Sequence, residues 1–180
     1  TVAVYLVLSL LLAPALVKFG VPILAAHLFI MYWGMLSMIT PPVCLASFAA
    51  AAIAGADSMR TGYSAMRIAI LVYIVPFLFV LGPTLLLMGQ PINIAISIVT
   101  ALFGSALVGI AAIGYLFRDL NMPLRVLFGL AGLGLLIPLR QGELYTMSVF
   151  ANIIGAILTI ALLWWELRIR RKLKQSTMLQ

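Results

Sequence analysis

Ile39-Thr40-Pro41-Pro42-Val43 interrupts apolar sequence that runs from Val21 to Met38 on one side and from Val43 to Ala54 on the other. Pro42 has no N–H to donate, and its ring collides with the carbonyl four residues back. Pro41 pushes Thr40 out of helical angles, and Pro42 does the same to Pro41. The segment 22–56 therefore reads as a helix in two halves. In hydrocarbon, backbone groups freed at such a break need partners inside the protein or in a wet cavity. Two readings stand at this point: a kink satisfied by neighbouring helices, or a built site.

Composition sets the surroundings of the break. The 180 residues are 65% hydrophobic and 8% charged, which is the signature of an all-α, polytopic membrane protein. A single cysteine, Cys44, excludes an internal disulfide and a cysteine-built metal site. The net charge is +7, but five of the eleven basic residues lie between Arg168 and Lys174. That clustering is local and argues against a nucleic-acid footprint. Thr1 already lies in an apolar run with no basic residue before it, so the run does not read as a signal peptide. The expectation is the C-terminal piece of a longer protein.

Around the break, residues 2–17 read as an apolar helix closed by Lys18-Phe19-Gly20, and 61–88 as one long helix kinked at Pro76 and Pro83. Residues 92–116 form a clean span, and 124–139 a shorter apolar segment that starts at a cap on Asn121. Arg140, Gln141, Gly142 and Glu143 mark an interface. Residues 145–166 form the last span, with Tyr145 at one end and Trp164-Trp165 at the other, followed by a basic tail over 168–180. If 124–139 spans, nine of the eleven basic residues fall on one side, which the positive-inside rule makes cytoplasmic together with the C-terminus.

Catalysis finds little support in four acids and one histidine without a constellation, so no enzyme is expected. The pairs Asp57/Arg60 and Arg118/Asp119 read as interfacial caps, and Glu166 as an interfacial partner of Arg168. His27 is the one intramembrane candidate for proton exchange, though its place near Pro22 favours a structural role. Gly129, Gly132 and Gly134 read as close helix packing, and Ser97, Ala101, Ser105 and Gly109 as a small-residue packing stripe. The break differs from all of these. Gly34, Ser37 and Thr40 precede it at a spacing of three, and Cys44 and Ser47 follow. A discontinuous helix offers carbonyls from its first half to a cation and N–H groups from its second half to a carboxylate.

Ala13-Pro14-Ala15-Leu16-Val17, Ala25-Ala26-His27-Leu28-Phe29, Ile39-Thr40-Pro41-Pro42-Val43 and Ala49-Ala50-Ala51-Ala52-Ile53-Ala54-Gly55-Ala56, with Thr61-Gly62 and Pro83-Thr84-Leu85-Leu86-Leu87-Met88-Gly89, occur in an order that resembles the end of a TRAP transporter large permease subunit. The likeness is greatest to the fused, TAXI-type permeases, and it covers roughly residues 1–89. It implies an elevator-type, ion-transporter-like transport domain, here with residues 2–17 as the returning arm of a hairpin and 22–56 as a broken helix. Residues 90–167 would be additional C-terminal transmembrane helices. It also implies Na⁺-driven import of organic acids in the bacterial inner membrane, with no cofactor beyond Na⁺ as coupling ion. The implied partners are a periplasmic solute-binding protein, the remainder of the permease with its small-subunit-like region, and membrane lipid, but no nucleic acid. Carried over by position, Thr40 and Pro41 would fall at the cation-site break; with Gly34, Ser37 and Pro42 added as neighbours by spacing, Gly34, Ser37, Thr40 and Pro41 would contribute to the cation site, and Thr40 and Pro42 to the substrate site. The rival expectation is a small polytopic membrane protein with a structural or assembly role, in which the break is a kink.

Overall fold

The computed structural model describes residues 2–139 and 145–177, with side chains of the last helix described as far as Arg168. The expected interface at Arg140–Glu143, the chain's first residue and its last three lie outside the described residues. So do the side chains of the basic tail beyond Arg168. The described residues are all-helical: α1 (Val2–Lys18), α2 (Ile23–Leu36), α3 (Leu45–Ala54), α4 (Ser58–Ile68), α5 (Ile70–Leu81), a 3-10 turn at Pro83–Leu86, α6 (Pro91–Ile113), α7 (Met122–Leu136) and α8 (Tyr145–Thr177). They divide into two compact units, Thr1–Ala95 and Ile96–Gln180.

Among the described residues two helices, Pro91–Ile113 and Tyr145–Arg168, are long and apolar enough to cross a membrane, and the bent pair Ser58–Ile68 and Ile70–Leu81 makes a third if it is one span. Leu10, Leu11, Ile53, Leu102, Phe103 and Ile160 are among many large apolar side chains left exposed, as the hydrocarbon of a bilayer requires. The chain is a polytopic helical membrane protein. At ~1.5 Å per residue, α2 spans ~21 Å and α3 ~15 Å, so neither alone crosses a core of ~30 Å.

In the first unit α1 and α2 form an antiparallel hairpin through Phe19–Pro22, and α2 also packs on α5. Phe29 and Trp33, four residues apart on α2, meet Tyr73 and Phe77, four apart on α5. Their ring centroids are 5.4 Å apart for Phe29–Phe77, 6.1 Å for Trp33–Tyr73 and 5.9 Å for Trp33–Phe77, all near edge-on. Spacing of four keeps each pair on one helix face, and edge-to-face rings gain about 0.5–1.5 kcal/mol beyond area burial. His27 belongs to this scaffold: its Nδ1 lies 3.0 Å from the Tyr5 hydroxyl, tying α2 to α1.

One sequence expectation fails here. Residues 61–88 are not one helix kinked at prolines. The helix starts at Ser58, bends by 46° between Ile68 and Ile70, and ends at Leu81. Pro76 stays inside α5 and is buried. No proline or glycine stands at the bend. It falls where Ser58-Met-Arg-Thr-Gly-Tyr-Ser-Ala-Met-Arg-Ile, an amphipathic stretch, gives way to Ile70–Leu81, apolar but for the Tyr73 hydroxyl. A helix that is polar along one side lies along an interface, whereas an apolar one enters the hydrocarbon. Asp57 caps α4, its carboxylate accepting from the Arg60 backbone N–H at 2.8 Å, as the sequence suggested. Asp57→Ala is expected to cost about 1 kcal/mol, read as a lowered thermal midpoint in detergent.

In the second unit α7 lies between α6 and α8 and runs antiparallel to α8. Gly132 faces α6: a Cβ there would meet the Gly104 carbonyl at 2.8 Å and Val108 N at 2.9 Å. Gly134 faces α8, where a Cβ would lie 3.2 Å from the Ala151 carbonyl. Two residues turn a helix by ~200°, so these glycines let α7 touch a neighbour on opposite sides. That is the close packing expected of Gly132 and Gly134. The stripe 97–109 fares differently. The tight contact of α6 is at Gly104, whereas a Cβ at Gly109 would meet nothing within 4 Å.

Helix ends also differ from expectation. α6 stops at Ile113, because Gly114 turns left-handed at φ 82°. Arg125 then covers the freed carbonyls, donating from Nε to Ala111 O at 3.0 Å and from Nη2 to Ala112 O at 2.9 Å. Asn121 holds the N-cap position of α7, but its side chain makes no capping bond. Glu166 pairs with Arg118, not with Arg168, which stacks 3.6 Å over the Trp164 ring. α8 continues as a helix beyond residue 166 to Thr177.

Candidate functional site

The proline break separates α2 from α3 by the eight residues Ser37–Cys44. The last turn of α2 tightens, with Met38 N donating to Met35 O and Ile39 N to Leu36 O, both at 3.1 Å. Two bonds then bridge the gap: Cys44 N to Thr40 O at 3.1 Å and Ala46 N to Met38 O at 3.0 Å. The second ties the first turn of α3 directly to the end of α2. The Pro41–Pro42 peptide is cis. Among the described residues, no backbone N–H reaches the carbonyls of Ile39, Pro41 or Pro42. Carbonyls without donors in an apolar setting call for another partner.

The hydroxyls beside the break are oriented. Ser37 Oγ donates to Gly34 O at 2.7 Å. Thr40 Oγ1 donates to Leu36 O at 2.6 Å and lies 2.6 Å from the Tyr73 hydroxyl of α5. With its one proton committed to Leu36, Thr40 accepts from Tyr73. A hydroxyl that donates still presents lone pairs, so Ser37 keeps two and Thr40 one. Ser47, third residue of α3, is 4% exposed, and its Oγ has no partner among the described residues. A buried hydroxyl without a partner costs about 1–3 kcal/mol. Gly34 is buried, but a Cβ there would find only Val4 Cγ1 at 3.9 Å. Packing therefore does not demand glycine at that position.

Gly62 of α4 closes the other side. A Cβ at Gly62 would lie 2.9 Å from Pro41 Cγ and 3.1 Å from Cys44 Sγ. The amphipathic α4 thus rests directly on the break, and Cys44 is buried.

Gly34, Ser37, Thr40 and Pro41 lie together at the end of α2, while Pro42 is exposed. Tyr73 and Gly62 complete the surroundings and were not singled out in the sequence as neighbours of the break. Tyr73 does carry a signal, as the single hydroxyl in an otherwise apolar helix. Among the described residues no carboxylate belongs to the group. Neutral oxygens suit a monovalent cation better than a divalent one, whose sites recruit carboxylates. Thr84 is a second orphaned hydroxyl of this unit, 1% exposed. It follows the end of α5 remote from Tyr73, ~16 Å along the helix, and does not belong to the break.

Residues 1–94 match a family model described as Tripartite ATP-independent periplasmic transporter, DctM component. No curated protein and no solved structure matches the chain.

Proposed function

The chain belongs to the family of the DctM component of tripartite ATP-independent periplasmic transporters, and on that premise we propose that it is the C-terminal part of a Na⁺-coupled permease of the fused TAXI type. It imports organic acids handed over by an extracytoplasmic binding protein and works with the rest of the permease, including a small-subunit-like region. It resides in the bacterial inner membrane with its C-terminus in the cytoplasm. Transport proceeds by alternating access. Ser37 Oγ, Thr40 Oγ1 and the carbonyls of Gly34 and Pro41 contribute ligands to the coupling Na⁺, and Ser47 joins them. Thr40 and Pro42 border the carboxylate of the substrate at the positive end of α3.

The observation that carries this reading is the break itself, where oriented hydroxyls adjoin carbonyls without donors inside the family-matched region. A kink alone accounts for the Thr40–Leu36 bond, since a threonine that satisfies a carbonyl one turn back is ordinary. It leaves the buried Ser47 hydroxyl unexplained.

Thr40→Ala is the direct test, in proteoliposomes with an imposed Na⁺ gradient and in a Na⁺-dependent thermal shift. Loss of one ligand is expected to weaken apparent Na⁺ affinity about tenfold, equivalent to about 1.4 kcal/mol. Tyr73→Phe removes a donor to Thr40 without removing the ligand, so a smaller change is expected. Unaltered Na⁺ dependence in Thr40→Ala would sink the assignment.

A further inference from the structure

We propose that the groove between α7 and α8 is a binding site for an anionic phospholipid. The groove encloses about 630 Å³ and is lined by Leu124, Leu127, Leu158, Ala161 and Leu162 along its length. Arg118, Asn121 and Trp165 also line it. Because α7 and α8 are antiparallel, the start of α7 lies beside residue 165, so these three gather at one end. The result is an apolar trough with a polar mouth, the shape of one acyl chain below a headgroup.

The mouth suits a phosphodiester in three ways. Arg118 uses Nε and Nη2 for Glu166, at 3.1 and 2.9 Å, which leaves Nη1 uncommitted on a side chain that is 36% exposed. Asn121 occupies the N-cap of α7, yet its amide makes no capping bond. The first turn of the fifteen-residue α7 adds the positive end of its dipole. Trp165 is half exposed, as an interfacial indole is.

Net charge selects the lipid. Glu166 neutralises Arg118 and the exposed Asp119 follows it in the chain, so the groove mouth alone gives no preference for an anionic headgroup over a zwitterionic one. Directly after Trp165 the helical backbone carries Arg168, Arg170, Arg171, Lys172 and Lys174. Each such residue near an anionic surface contributes about 1 kcal/mol. A phosphatidylglycerol-type lipid is therefore favoured over phosphatidylethanolamine. This inference is independent of the Na⁺ reading, because it concerns the other unit and needs no transport.

The test uses the full-length permease in phosphatidylethanolamine vesicles, titrated with phosphatidylglycerol brominated on its acyl chains. The fluorescence difference between the parent and Trp165→Phe isolates quenching at Trp165. Half-quenching is expected at a several-fold lower mole fraction of brominated phosphatidylglycerol than of brominated phosphatidylethanolamine. Ala161→Phe, which fills the exposed wall of the groove, and Asn121→Ala, which leaves the ion pair intact, should each raise that fraction several-fold. Equal quenching by both lipids means annular contact only and overturns the proposal. Absence of quenching means a protein segment covers the groove and overturns it as well.

Discussion

Arg118→Ala should cost about 3 kcal/mol of stability, the low end for a broken buried pair because the arginine itself is partly in water, and clearly more than Glu166→Ala, although the two side chains form a single ion pair. The reason is unequal burial. Glu166 is 1% exposed, whereas the Arg118 side chain is 36% exposed. Removing the arginine strands a carboxylate away from water, and a buried charge without its partner is heavily penalised. Removing the glutamate leaves a guanidinium that water already reaches. The Glu166 hydrogen bond, with its charge, holds Arg118 above its ordinary pKa against the opposing effect of burial. The arginine therefore stays charged at any working pH. Unfolding midpoints in detergent for both single variants and for Arg118→Ala/Glu166→Ala would decide. The double variant should recover much of the loss. Equal losses in the two single variants would contradict the argument.

Gly132→Val is expected to be as damaging, at about 3 kcal/mol, the upper range for overpacking. A Cβ at Gly132 would press on a backbone carbonyl and a backbone nitrogen of α6, at 2.8 and 2.9 Å, and on Val108 Cγ2 at 2.8 Å. Backbone cannot yield by changing rotamer, so α6 and α7 would have to part along Leu107, Phe128 and Leu135, which share one buried cluster. Gly109→Ala is the control. It faces open space on the same α6, so the helix-propensity gain of up to ~1 kcal/mol should appear unopposed. A fall in stability for Gly109→Ala equal to that of Gly132→Val would show that loss of a glycine in either helix is harmful by itself and that the close contact is not the cause.

The break between α2 and α3 was legible because proline acts locally. A missing N–H and a steric clash need no knowledge of the neighbours. The roles of Asp57 and of Gly132 and Gly134 were legible for similar reasons, since a cap and a small-residue contact follow from residue type and spacing. What escaped was decided elsewhere in the chain. Tyr73 reaches Thr40 across thirty-three positions and Arg118 reaches Glu166 across forty-eight. Glu166 had nearer cationic neighbours in the sequence, but helical geometry turned Arg168 onto Trp164 instead. The boundary near Ala69 was missed because the prolines of residues 61–88 drew the inference. The operative signal was a change from mixed to almost wholly apolar composition. Pro76 could stay inside α5 since a packed apolar helix tolerates one lost backbone bond.

The contact of Gly62 with Pro41 and Cys44 has a mechanical consequence. The backbone of the amphipathic α4 meets the Pro41 ring and the Cys44 thiol with no side chain of its own at Gly62 to act as a cushion. If the break changes depth during a transport cycle, α4 must be dragged with it. Its arginines, Arg60 and Arg67, would then be drawn toward hydrocarbon or pushed into water. The work of that stroke would depend on bilayer thickness and surface charge, so the lipid composition of the membrane would act as a load on the cycle.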